Sequence, residues 1–192
     1  MEPIPCAVPK PLRPSAAQLA AAHGRSTVRD VHTTGLRVLF VGINPGLYSG
    51  ATGYHFARPG NRFWPALHRS GFTPRQFHPS ESRELLQHGV GLAKLVNRAT
   101  ATAAELTAEE LRRGGRRIRR LGLKLRPRAV CFLGVGAYCA AYGVKKTAIG
   151  PQPGDMLGAA LWVLPNPSGL NANYQLPDFI ALFKRLRESV AD

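Results

Sequence analysis

Three short apolar runs, each emptying into a glycine- or proline-bearing loop, limit what this chain can become. Leu36-Arg37-Val38-Leu39-Phe40-Val41 runs into Gly42-Ile43-Asn44-Pro45-Gly46. Ala129-Val130-Cys131-Phe132-Leu133 runs into Gly134-Val135-Gly136, and Ala160-Leu161-Trp162-Val163-Leu164 into Pro165-Asn166-Pro167. Runs of this length and composition read as buried strands of a parallel sheet. Helices are expected between and after them, over 62–70, 80–88, 103–125 and 178–190, the second opened by the hydroxyl and acids of Ser80-Glu81-Ser82-Arg83-Glu84. Strands alternating with helices predict a three-layer α/β/α fold with a central, mostly parallel sheet. Ligands in such folds bind at the carboxyl ends of the strands, where these loops lie.

At 192 residues and 44% hydrophobic content the chain suits one core rather than two. The expected division is a Pro-rich, poorly ordered lead-in over 1–30, without the apolar core of a secretory signal, and a single domain over 31–192. Lys and Arg outnumber Asp and Glu by 26 to 11, a formal charge of +15. A surface this basic attracts polyanions, with nucleic acid the leading partner. No 18-residue apolar run is present, so a membrane partner is not expected. Cys6, Cys131 and Cys139 match no zinc or cluster spacing, which suits a reduced, cytoplasmic setting. The histidines show no metal-ligand spacing, and no metal site is expected.

Gly42-Ile43-Asn44-Pro45-Gly46 presents one polar side chain, Asn44, from a tight turn. Alone this is ordinary turn chemistry. Asn166-Pro167-Ser168-Gly169-Leu170 repeats the strand-to-Asn-Pro arrangement more than a hundred residues later, so the two loops can converge on one pocket. Between them, Thr52-Gly53-Tyr54-His55-Phe56-Ala57-Arg58-Pro59-Gly60-Asn61-Arg62-Phe63-Trp64 mixes rings with cations, as surfaces that stack bases and meet phosphates do. Phe63 and Trp64 read as the core face of a helix, whereas Phe56 has no helical stripe to join and is the candidate stacking platform. Arg112-Arg113, Arg116-Arg117, Arg119-Arg120, Lys124, Arg126 and Arg128 form a basic run, read either as a solvated face or as a source of non-specific phosphate attraction.

The Gly-Ile-Asn-Pro-Gly loop, the Phe-Ala-Arg-Pro-Gly-Asn-Arg-Phe-Trp stretch, Gly91-Leu92-Ala93-Lys94-Leu95-Val96 and the Asn-Pro-Ser-Gly-Leu loop, in that order, resemble the mismatch-specific uracil/thymine DNA glycosylases, from about Gly35 to Phe183. The resemblance implies the uracil-DNA glycosylase fold, no cofactor, and a double-stranded DNA substrate with a mismatched or damaged base, acted on by a monomer, at the nucleoid in a bacterium. It implies that Asn44 positions the attacking water and that Phe56 stacks on the extruded base. Ile43, Gly46, Ser49 and Asn166 would surround that base. Gly169, Leu170 and Asn171 would fill the vacated stack and face the orphaned partner, and Arg58, Arg62, Lys94 and Ser168 would meet phosphates. Flipping is needed because the sugar carbon is inaccessible within the stack.

Two positions depart from the family pattern. Ala93 stands where relatives carry a polar residue, which suggests a missing second water-activating group. Asn171-Ala172-Asn173 stands where close relatives tend to carry an arginine. An amide can orient water but cannot take its proton, so a slow site relying on backbone N–H stabilisation of the leaving group is expected. The alternatives are a binder of mismatched or damaged DNA with little or no chemistry and a dinucleotide enzyme built on Gly134-Val135-Gly136. The latter lacks both the third glycine and the acidic residue about 20 positions on.

Overall fold

The structure, a computed structural model, describes residues 13–156 and 158–191; Cys6 and residues 1–12 of the expected lead-in lie outside them. Each apolar run forms a strand: β1 (Val38–Gly42), β3 (Ala129–Leu133) and β5 (Ala159–Leu164). Two further strands, β2 (Val90–Lys94) and β4 (Gly150–Met156), complete a sheet ordered β2-β1-β3-β5-β4. The first four run parallel, and β4 closes the β5 edge antiparallel with a register break between Pro151 and Asp155. An edge is where a strand tolerates proline, because one side of its backbone needs no partner.

The strands β2, β1 and β3 are buried on both faces, which accounts for continuous rather than alternating apolarity in the central strands. On one face, Val38, Phe40, Leu92 and Cys131 pack with Phe63 and Leu67 of α3 (Phe63–Arg69) and with Phe179 and Phe183 of α6 (Leu176–Ser189). On the other, Leu39, Val41, Ala93, Val130 and Phe132 pack with Ile118 of α4 (Ala108–Leu125) and Tyr138 of α5 (Val135–Tyr142). The expected three layers are therefore present, and Phe63 and Trp64 are core residues.

Helix boundaries moved where caps decided them. Thr107, bonded to the Glu110 amide, starts α4 five residues later than the apolar pattern implied, and 103–105 forms a separate 3-10 turn. Residues 79–88 form a 3-10 segment capped by His78, not a helix opened by Ser80. The expected lead-in is ordered from Ser15 onward: Ser15 and Gln18 form a capping box on α1 (Ala16–Ala22), Val28 is buried, and Val31 bridges Leu92. Asp30, whose carboxylate is needed by two cations described below, ties this stretch to the domain.

Candidate active site

The cleft opens where the four parallel strands end. Its cavity, about 610 Å³, is lined among others by Ile43, Asn44, Gly46, Ser49, Phe56 and Asn166, with Arg58, Ser168, Leu170 and Asn171 at its walls or rim. Residues chosen from loops more than a hundred positions apart thus share one space.

Asn44 is fixed by its amide nitrogen. Nδ2 donates to Arg98 O at 3.0 Å, Pro45 O at 3.2 Å and Thr100 Oγ1 at 2.7 Å. Two of these acceptors are carbonyls, which cannot donate, so the NH2 end must face them and the amide cannot be turned over. Oδ1 bonds to no described residue and is left to accept a hydrogen from whatever occupies the cavity. The bracing extends outward: Thr100 N donates to Pro45 O, and the Arg98 guanidinium bonds Glu110 on α4 at 2.6 and 3.0 Å, holding that carboxyl down to about 2. Thr100 and Arg98 had no sequence signal, because their contribution is a loop geometry fixed from α4.

Phe56 adopts φ 52°, a left-handed conformation uncommon for a bulky side chain. One face of its ring stacks on Phe63 with centroids 4.2 Å apart. Its edge lies so close to Gly42 that a Cβ there would stand 3.3 Å from Cζ. The opposite face remains for the cavity. Ser49, itself buried, holds the following turn by accepting from Ala57 N at 3.2 Å. Gly46 is the N-cap of the α2 helix (Leu47–Thr52).

His55, given no role on sequence grounds, also lines the cavity. A ring nitrogen facing the Arg29 carbonyl at 2.8 Å must carry the proton, so Nε2 donates and Nδ1 keeps its lone pair. Burial, reinforced by the Lys94 charge, pushes its pKa down to about 4, so the ring is neutral at physiological pH.

The loop that carries Leu170 is stitched to the Phe56 loop. Arg62 N donates to Pro167 O, and its guanidinium donates to Ser168 O at 2.8 Å, Asn171 O at 3.1 Å and Gln175 Oε1 at 2.9 Å. Gly169 lies against Gly60, where a Cβ would come within 2.8 Å of the Gly60 carbonyl. Asn166 accepts from Ser168 N, while Asn171 donates to Asn166 O. Leu170 projects from this brace 73% exposed.

Four expectations need correction. Lys94 is not a surface cation: it is buried, and its ammonium meets Asp30 at 2.7 Å, while Arg117 takes the other Asp30 oxygen at 2.7 Å. Burial lowers the Lys94 pKa, and the two cations together hold the Asp30 carboxyl low against the opposing effect of its own burial. Arg62 is engaged as the clamp just described instead of standing free for a phosphate. Asn171 is a loop brace whose amide is already bonded on both sides, Oδ1 accepting from Asn173 N. Ala93, fully buried, pairs with Val41 and faces the apolar layer under α4, off the cavity wall. Strand alternation turns Ala93 away from the cleft, so its missing polar atom takes nothing from the site. Arg58, by contrast, is exposed at the rim, and its guanidinium has no hydrogen-bond or ion-pair partner among the described residues.

A family model of the uracil DNA glycosylase superfamily matches residues 30–189. The chain belongs to the uracil DNA glycosylase superfamily. In that superfamily the activity is hydrolysis of the bond between a base and its sugar in DNA, which agrees with the excess of basic residues. The match begins at Asp30, the residue whose carboxylate holds Lys94 and Arg117. Among the described residues, no helix is long and apolar enough to cross a membrane. Gly134, the alternative nucleotide-loop candidate, is accounted for by packing: a Cβ there would stand 2.8 Å from Ile43 Cδ1.

Proposed function

We propose that this superfamily member is a monofunctional glycosylase that extrudes uracil from a mismatched duplex, such as uracil opposite guanine, and hydrolyses its glycosidic bond. The observation that carries the reading is the orientation of Asn44. With Nδ2 held by carbonyls, Oδ1 accepts a hydrogen from a water in the cavity and aims its oxygen at C1′. The bond from C1′ to N1 of the base breaks, the water oxygen bonds to C1′, and the base leaves with the bonding pair, its negative charge stabilised by main-chain donors near Ile43 and Phe56. The water's proton passes to solvent or to the departing base. The open face of Phe56 supplies the stacking surface, Leu170 enters the gap left in the helix, and Arg58 and Ser168 meet the backbone.

No Asp or Glu lines the described cavity wall, and His55, whose pKa is pushed down to about 4, is a weak base. A positioned general base is typically worth about 10²–10⁴ in rate, so chemistry here is slow and rests on orientation and leaving-group stabilisation. The same lack of a carboxylate favours the second reading, a mismatch binder with little or no chemistry. Incubating the protein with a duplex carrying uracil opposite guanine and then treating it with alkali separates the two. Strand breaks at the uracil, lost in Asn44→Ala, are expected; an intact strand after prolonged incubation with wild type leaves only the binder.

A further inference from the structure

We propose that the exposed face of α4 remote from the cleft is a second DNA-binding surface, one that takes the phosphate backbone of a duplex segment other than the segment holding the flipped base. It relies on the glycosylase reading only for the choice of DNA as the polyanion. At 100° per residue, Arg112, Arg113, Arg116, Arg119, Arg120 and Lys124 fall within an arc of about 140°, and all are exposed. Acids on this helix are confined to its first turn, and they are already engaged: Glu109 bonds Arg112 and Arg116 at 3.2 and 3.1 Å, and Glu110 bonds Arg98. Arg117 turns inward to Asp30. Charge is thus partly offset at the end near the cleft, where Arg112 and Arg116 share Glu109, while Arg119, Arg120 and Lys124, like Arg113, have no acidic partner among the described residues.

Placement separates this end from the site. Leu111 lines a smaller cavity that shares Ile43, Asn166 and Asn171 with the cleft, so α4 starts at the carboxyl edge of the sheet. At its other end, Gly35 N donates to Leu125 O and Arg128 N to Leu36 O, so α4 finishes at the edge where β1 and β3 begin. With a rise of 1.5 Å per residue, Arg119 to Lys124 lie about 12–20 Å beyond Leu111 toward that opposite edge. That displacement is away from the strand ends across which the glycosylase reading seats the lesion-bearing duplex. An unneutralised row of guanidinium and ammonium groups at helical spacing suits consecutive phosphates, whose contact releases counterions.

The test uses the full chain bound to an immobilised short duplex carrying uracil opposite guanine, washed, and then offered a fluorescent lesion-free duplex. Wild type is expected to retain the second duplex, and R119E/R120E/K124E to retain at least tenfold less. The slope of log retention against log salt should be shallower by about 3 in the variant. Single-turnover excision on the short duplex should stay within about twofold of wild type. R119Q/R120Q/K124Q, matched to wild type in melting temperature, gives the same readout if charge reversal impairs folding. Equal retention by the variants, no retention by wild type, or excision falling in parallel with retention would each overturn the proposal, as would an RNA duplex displacing the second duplex far better than DNA does. Wild type that retains the second duplex yet excises nothing would sink the glycosylase reading and leave this surface standing.

Discussion

Asn44 shows why a side chain's chemistry cannot be judged apart from what holds it. Replacement by aspartate is isosteric and would seem to supply the missing base, yet one carboxylate oxygen would then face the carbonyls of Arg98 and Pro45, at the present 3.0 and 3.2 Å. That arrangement is tolerable only when the acid is protonated, so the folded state raises the pKa of the new group. A raised carboxyl pKa stabilises relative to the unfolded chain at low pH and loses that contribution as pH rises through the folded value. Asn44→Asp is therefore expected to be less stable than wild type at pH 8 by about 1–3 kcal/mol, with the deficit shrinking toward pH 5 and no gain in excision rate at neutral pH. Urea melts at the two pH values check it, and a faster, fully stable Asp variant would contradict it. The place of Asn44 and Phe56 at the cleft was legible, Asn44 because its loop is matched by a second strand-to-Asn-Pro loop and Phe56 because it has no helical stripe to join. The true positions of Ala93 and Lys94 were not, because a one-residue alternation decides which of them meets the cleft, and Lys94's partner is 64 residues away.

At the level of elements, legibility followed composition. β1, β3 and β5 were apparent because they are apolar throughout. β2 was recognised only as a motif, since Val90-Gly91-Leu92-Ala93-Lys94 mixes a glycine and a charge into a strand. β4, with two glycines, two prolines and an aspartate, has the composition of a loop and is held as a strand by its pairing with β5. The glycines of α4 make a measurable contrast. A Cβ on Gly114 would overlap the Leu95 carbonyl, whose segment leads on to Thr100, whereas Gly122 meets nothing within 4 Å. Gly122→Ala should stabilise by up to about 1 kcal/mol through helix propensity. Gly114→Ala should destabilise by about 2 kcal/mol, overpacking outweighing that gain, and should slow excision by shifting the loop that fixes Asn44. Melting curves and single-turnover rates decide; equal stabilisation by both would show that α4 does not pack this tightly on β2.

For the whole molecule, buried ionisable groups set the response to acid. His55 stays neutral to a pKa of about 4 when folded, against an ordinary 6.5. Between those values the unfolded chain binds a proton that the folded chain refuses, so stability falls as pH drops through the window, by about 3 kcal/mol at ~1.4 kcal/mol per unit. Asp30, held below its usual 3.8, adds a further loss at still lower pH as its ion pairs with Lys94 and Arg117 are protonated away. His55→Gln, which can keep the donation to Arg29 O, should flatten the upper part of this decline. Denaturant midpoints at pH 7, 5.5 and 4.5 measure it, and parallel curves for the two proteins would assign the acid sensitivity elsewhere.

Arg62 carries one more consequence. Its main chain and guanidinium join the Phe56 loop to the Leu170 loop, so that neither can shift without breaking these bonds or carrying the other along. Under the glycosylase reading, the lesion cannot settle without the Leu170 plug going home, nor the plug withdraw while the pocket keeps its hold. On that reading, release of the base and exposure of the abasic sugar to whatever repairs it next are one event rather than two.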